Sequence, residues 1–95
     1  MQSNKLRELR NYSDPEYVMN KARMMGLNRV HESSRKDKKY MVFDGRTMVH
    51  FGQMKYNDYT YDYDEERRNR FKKRNWKLQN SPKYSPAWLS WFLLW

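Results

Sequence analysis

One run constrains the fold of this 95-residue chain more than any other: Tyr40-Met41-Val42-Phe43, then Asp44-Gly45, then Arg46-Thr47-Met48-Val49-His50-Phe51. β-branched and aromatic residues occupy both halves, and Asp-Gly supplies the positive φ angles of a two-residue type I′ turn, so the run predicts a β-hairpin. In that register Val42 faces Thr47 and Tyr40 faces Val49. Alternation places Tyr40, Val42, Thr47, Val49 and Phe51 on one face, and Met41, Phe43, Arg46, Met48 and His50 on the other. The first face is the more apolar and is expected to form the core around Tyr40, Val42, Val49 and Phe51. The second is expected to meet solvent or a partner. Gly52 ends the second strand.

A helix is predicted N-terminal to the hairpin. Asp14 is a suitable N-cap, Pro15 fits the first helical position, where no N–H is needed, and Glu16 favours the positive end of the helix. Val18, Ala22 and Met25 then recur on one face until Gly26 stops the helix. Met19, Met24 and Met25 read as adaptable core-packing groups rather than a recognition groove. Residues 1–12 are polar and basic, and are expected to be an arm that orders on contact, with at most a short marginal helix. Their start lacks an apolar run, so no signal peptide is expected. Residues 31–39, HESSRKDKK, read as a polar connection with no reason to be buried.

Beyond the hairpin, Tyr59, Tyr61 and Tyr63 alternate with polar residues, which predicts an extended stretch. A second helix is expected to begin at Asp62 or Asp64, with Glu65 and Glu66 in its first turn and Arg67, Arg68, Arg70, Lys72, Lys73, Arg74 and Lys77 along the rest. Its apolar stripe of Phe71, Leu78 and Trp76 is thin, so it needs a surface to lie on. After a linker at 80–84, Ser85-Pro86 opens a terminal segment, PAWLSWFLLW, as cap and first helical residue. The expected fold class is α+β: a small β-hairpin packed with two or three short helices, with extended termini. Residues 1–12 form a basic arm, 13–80 the mini-domain and 81–95 an aromatic C-terminal anchor segment.

The charge balance points to function. Twenty Lys and Arg against 11 Asp and Glu give a net charge of +9, aromatics make up 17% of the chain, and cysteine is absent. Polyanionic partners are favoured, namely nucleic acid, anionic lipid or acidic protein surfaces, whereas disulfides and thiolate chemistry are excluded. Arg67 to Lys77 interleaves cations with Phe71 and Trp76, as nucleic-acid binding requires, but the same run also suits a solvated face or docking on an acidic protein. Trp88, Trp91, Phe92 and Trp95 fall close to one helical face and form an aromatic anchor, while Leu89, Leu93 and Leu94 spread the apolar surface around the segment. This segment is too short to span a bilayer. Its home is the hairpin of the same chain, another subunit or a membrane interface.

Little points to catalysis. Asp58, Asp62 and Asp64 match no complete metal loop and read as caps and ion-pair partners. His50 reads as a cross-strand neighbour, and neither it nor His31 stands beside those aspartates. No phosphate loop or nucleophile motif is present. No catalytic or metal site, no cofactor and no small-molecule substrate is expected.

From residue 33 onward the chain resembles a family of small basic proteins of unassigned function from the nucleocytoplasmic large DNA viruses, with similar proteins among chlorella viruses, iridoviruses and marseilleviruses. Lys39-Tyr40, Gly45, His50-Phe51-Gly52, Tyr56-Asn57-Asp58-Tyr59-Thr60, Asp64-Glu65-Glu66-Arg67-Arg68 and Leu93-Leu94-Trp95 carry the resemblance. The family pattern often has a histidine where Asp62 stands and another at Asn75, so histidine-dependent chemistry does not transfer to this chain. The resemblance implies a virion protein assembled in the host cytoplasm and held inside or under the capsid shell. There it is expected to be a minor capsid component cementing neighbouring capsid units. Its implied partners are major and minor capsid proteins, DNA and an internal membrane, and its alternative role is condensing the viral genome.

Overall fold

A computed structural model describes residues 3–95. In chain order the elements are α1 (Asn4–Leu9), α2 (Pro15–Met24), β1 (Val30–Glu32), β2 (Lys38–Phe43), β3 (Met48–Gln53), α3 (Tyr59–Asp62), α4 (Glu65–Arg74), a 3₁₀ turn (Trp76–Asn80) and α5 (Pro86–Leu89), which continues as a π turn (Ser90–Leu94). The strands form one antiparallel sheet in the order β1-β2-β3. Short helices pack around it, so the expected α+β class holds.

The hairpin forms with a register two residues from the expected one: Tyr40 pairs with Phe51, Val42 with Val49 and Phe43 with Met48. Asp44 is the cause. Its Oδ1 accepts the Arg46 and Thr47 amides at 2.7 and 2.8 Å, and its own N–H donates to the Thr47 carbonyl at 3.1 Å, closing a four-residue loop. An Asp side chain that satisfies loop amides competes with the tighter turn. Because side chains alternate with a period of two, a shift of two residues keeps the core face intact. Tyr40, Val42 and Phe51 are buried, Val49 is half-buried against them, and Thr47 is exposed in the loop. Phe43 and Met48 lie exposed on the opposite face.

Three further expectations are corrected. Residues 31–39 contain a strand, since Val30, His31 and Glu32 pair with Val42, Met41 and Tyr40, and Ser33 and Lys39 are buried. The presumed N-terminal arm carries helix α1, capped by Ser3. Alone, so short a helix is unstable, but Leu9 is fully buried and Lys5 Nζ donates to the Arg35 and Lys38 carbonyls at 2.6 Å each. The alternating tyrosines form one helical turn, α3, because Asp58 caps it and Tyr63 ends it in the left-handed region at φ 56°.

Helix α2 starts at Asp14 as expected and buries Pro15, Val18 and Ala22. Its end is a Schellman turn: Gly26, at φ 74°, lets the Leu27 N–H reach the Ala22 carbonyl at 3.0 Å. That turn sends Leu27 into the core, leaving Met24 and Met25 exposed; only Met19 of the three methionines packs against the core.

The C-terminal segment lies against its own chain. Leu89, Leu93 and Leu94 are buried among Val18, Tyr40, Val42 and Phe51 as one core. Gly52 is where this segment meets β3. At φ 79°, a Cβ on Gly52 would stand 2.9 Å from Leu94 Cδ1 and 3.2 Å from Lys39 Cβ. Gly52→Ala therefore combines left-handed strain with a collision, and is expected to cost about 1–3 kcal/mol as a lowered midpoint in urea unfolding; an unchanged midpoint contradicts the contact.

Candidate functional site

The interior holds a polar node that joins four elements. Lys39 Nζ, on β2, reaches Asp58 Oδ2 at 3.0 Å, with both side chains 2% exposed. The same ammonium donates to the Tyr56 carbonyl and, at 3.4 Å, to the Tyr12 carbonyl. Asp58 Oδ1 accepts the Thr60 N–H at 2.9 Å and the Thr60 hydroxyl at 2.6 Å. Thr60 Oγ1 in turn accepts the Asp14 N–H at 2.9 Å. Ser13 Oγ bridges Thr60 Oγ1 at 3.0 Å and the Tyr40 hydroxyl at 2.7 Å. Burial pushes the Lys39 ammonium below the usual lysine range even though Asp58 opposes the shift. Burial likewise pushes the Tyr40 phenol well above its ordinary range. Every donor here has an acceptor, so the node fixes the α1–α2 connection, the start of α2, β2 and α3 relative to one another.

This arrangement accounts for the carboxylates considered for metal binding. Asp58 is committed to Lys39 and Thr60. Asp62 takes the Arg67 guanidinium at 2.7 and 3.1 Å, and Asp64 caps α4 by accepting the Arg67 N–H. Among the described residues no group of three or more His, Asp or Glu is placed to hold a metal ion. His50 Nδ1 lies 2.6 Å from Ser33 Oγ, beside Met41 on the neighbouring strand.

The basic helix divides into two sets of cations. Arg67, Arg68 and Lys72 are rooted. Arg67 Nη2 donates to the Asp58 carbonyl at 2.6 Å. Arg68 pairs with Glu65 at 2.5 Å and lies 4.4 Å from the centroid of the Tyr59 ring. Lys72 sits 5.0 Å over Trp91. Phe71 stacks on Trp95 with centroids 4.1 Å apart and planes 5° apart, which docks α4 on the C-terminal segment. The outward set is Arg70, Lys73 and Arg74, at the i, i+3, i+4 spacing of one helical face, continued by Lys77 in the 3₁₀ turn. All four are exposed. Arg70 has only a 3.9 Å contact with exposed Glu66, and among the described residues Lys73 and Arg74 have no ion-pair partner. Trp76 beside them is 53% exposed.

The aromatic anchor is distributed differently from the expectation. Trp91 is buried, whereas Trp88, Phe92 and Trp95 are half-buried and contact Tyr84, one another or Phe71. The leucines between them reach the core. Among the described residues no helix is long and apolar enough to cross a membrane.

Lys39, Asp58, Thr60 and Ser13 were not read from sequence as a unit. The available signal was local: Asp58-Tyr59-Thr60 is a side-chain cap two residues before its amide, as in an Asx turn. Nothing local marks Lys39 as its partner.

Fold and surface together define a small basic α+β domain with a polar node inside and a cationic helix outside. The chain belongs to a family of unknown function (DUF5754), whose model matches residues 28–75, a span that holds the whole sheet, Asp58, Thr60 and α4. No curated protein and no solved structure matches it significantly.

Proposed function

We propose that this protein binds nucleic acid through the outward strip of Arg70, Lys73, Arg74 and Lys77 and performs no catalysis. The strip itself carries the reading: three exposed cations share one face of α4 and a fourth, Lys77, follows in the 3₁₀ turn, almost free of acidic partners, while the other face of α4 is docked on the C-terminal segment. Phosphates arrayed along a strand suit such a strip, because each contact releases a condensed counterion. In the C-terminal segment Leu89, Leu93 and Leu94 are buried inside the chain, whereas Trp88, Phe92 and Trp95 stay half-buried at its rim. Set in the large-DNA-virus context that the sequence resembles, the natural ligand is the packaged genome.

Four phosphate contacts correspond to a log–log salt slope of about −3 to −4, from roughly 0.9 per neutralised phosphate on duplex DNA. Affinity is therefore expected to fall about a hundredfold between roughly 50 and 200 mM salt. Replacing all four cations with glutamine is expected to flatten that slope while leaving the thermal melt unchanged. Fluorescence anisotropy with a labelled duplex measures the slope and circular dichroism the melt; a salt-independent affinity, or none at low salt, refutes the proposal.

A second reading has its own support. Phe43 and Met48, paired across the hairpin and 46% and 43% exposed, offer a small apolar contact to another protein, as a capsid-cementing component needs. Recovery of the protein in emptied shells, rather than with the released genome, would favour that role.

A further inference from the structure

Beside the cationic strip runs a groove of about 370 Å³ between the β3–α3 connection and α4. We infer that it seats one unstacked base of a single-stranded nucleic acid, an inference that rests on the nucleic-acid reading above. Three kinds of group converge there. Arg70 and Arg74 border it with charge, Phe71 and Trp95 form its stacked aromatic wall, and Tyr56 and Asn57 line it from the connecting segment. Tyr56 is 68% exposed, although its backbone is fixed by the carbonyl that accepts Lys39. A large ring held at the surface on an anchored backbone is a stacking platform. Arg67 also lines the groove, and its solvent-excluded Nε–H has no acceptor among the described residues.

This chemistry selects its occupant. Arginines facing a groove favour an anion. Aromatic walls add affinity only for a ligand with an exposed π face, and a base within a duplex keeps both faces in the stack. A single strand presents phosphate and free base together, and stacking on a protein ring contributes irrespective of base identity. Asn57 adds an amide able to meet a base edge. An acidic protein surface would use the arginines and leave the exposed Tyr56 ring without a partner.

The test compares a labelled twelve-nucleotide thymidine strand with a twelve-base-pair duplex at one salt concentration, using the full chain. The inference expects tighter binding of the single strand, and a loss of about tenfold for it in Tyr56→Ala, the lower part of the range for one stacked base, with duplex affinity unchanged. Lys73→Gln, outside the groove, is expected to weaken both ligands by a similar factor. Tyr56→Ala removes an exposed ring, and its thermal melt checks that the fold is retained. Equal binding of strand and duplex, both indifferent to Tyr56→Ala, overturns the base-seating groove and leaves the phosphate strip standing. Failure to bind either ligand overturns both.

Discussion

Asp58→Ala is expected to lower the free energy of unfolding by about 3–5 kcal/mol, the usual result of removing one partner from a buried ion pair. For a chain of this size that is a large part of the total stability. The substitution leaves the Lys39 ammonium 2% exposed with only the Tyr56 and Tyr12 carbonyls as acceptors. It also strips Thr60 of the acceptor for both its N–H and its hydroxyl, and α3 of its cap. Lys39→Met is expected to be destabilising as well, because it leaves the Asp58 carboxylate buried without its counter-charge, although Asp58 Oδ1 keeps its bonds to Thr60. The pH dependence separates the causes. Lys39 is already below the usual lysine range because of burial, with Asp58 opposing the shift, so Asp58→Asn lowers it further. A lysine with a depressed folded value binds fewer protons in the fold than in the unfolded chain. The stability of Asp58→Asn should therefore rise as pH increases from the folded value toward the ordinary lysine value, more steeply than in the unsubstituted protein. Urea unfolding monitored by tryptophan fluorescence at several pH values measures this. A cost below 1 kcal/mol for Asp58→Ala would show that the node contributes little.

The parts of this fold legible in the sequence were those set by local chemistry. Asp14-Pro15 started a helix where it should, Asp64 capped the next, and the alternation of Tyr40, Val42, Val49 and Phe51 chose the core face even though Asp44 moved the turn by two residues. The parts that were not legible depend on distant partners. Lys39 looks like one more solvated cation in a run of them, and only Asp58, 19 residues away, makes its burial possible. Strand β1 is three residues of unremarkable polarity that pair because β2 presents a free edge. The basic run from Arg67 to Lys77 was visible as charge, but its division into a rooted set and an outward set depends on Asp62, Glu65, Tyr59 and the C-terminal rings. Helical spacing groups Arg70, Lys73 and Arg74, but only those partners decide which face turns outward.

Leu93→Ala is expected to destabilise the isolated chain by about 2–5 kcal/mol, the range for a fully buried leucine truncated in a packed core. The terminal segment read as an anchor led by its indole rings, and three homes were open for it. Its backbone explains why leucines take the interior. From Ser90 the helix widens, and the Trp95 N–H reaches the Ser90 carbonyl at 3.2 Å. A hydrogen bond five residues back brings residues four and five apart toward the same side. Leu93 and Leu94 thus both join Leu89 against Val42 and Phe51, and Trp95 is left to stack on Phe71 at the rim. With this much core formed within one chain, the purified protein should melt cooperatively without a partner. Leu93→Ala should lower the midpoint by about 10 °C or more, given roughly 4–8 °C per kcal/mol for a chain of this length. A segment held by a membrane interface gives the opposite pattern, in which Leu93→Ala weakens flotation with liposomes and leaves the melt in place. A segment held by another subunit gives a melt that depends on protein concentration. A concentration-independent transition that moves with Leu93, while the half-buried Trp88 tolerates serine at about 1–2 kcal/mol, identifies the C-terminal turn as part of this domain's own core.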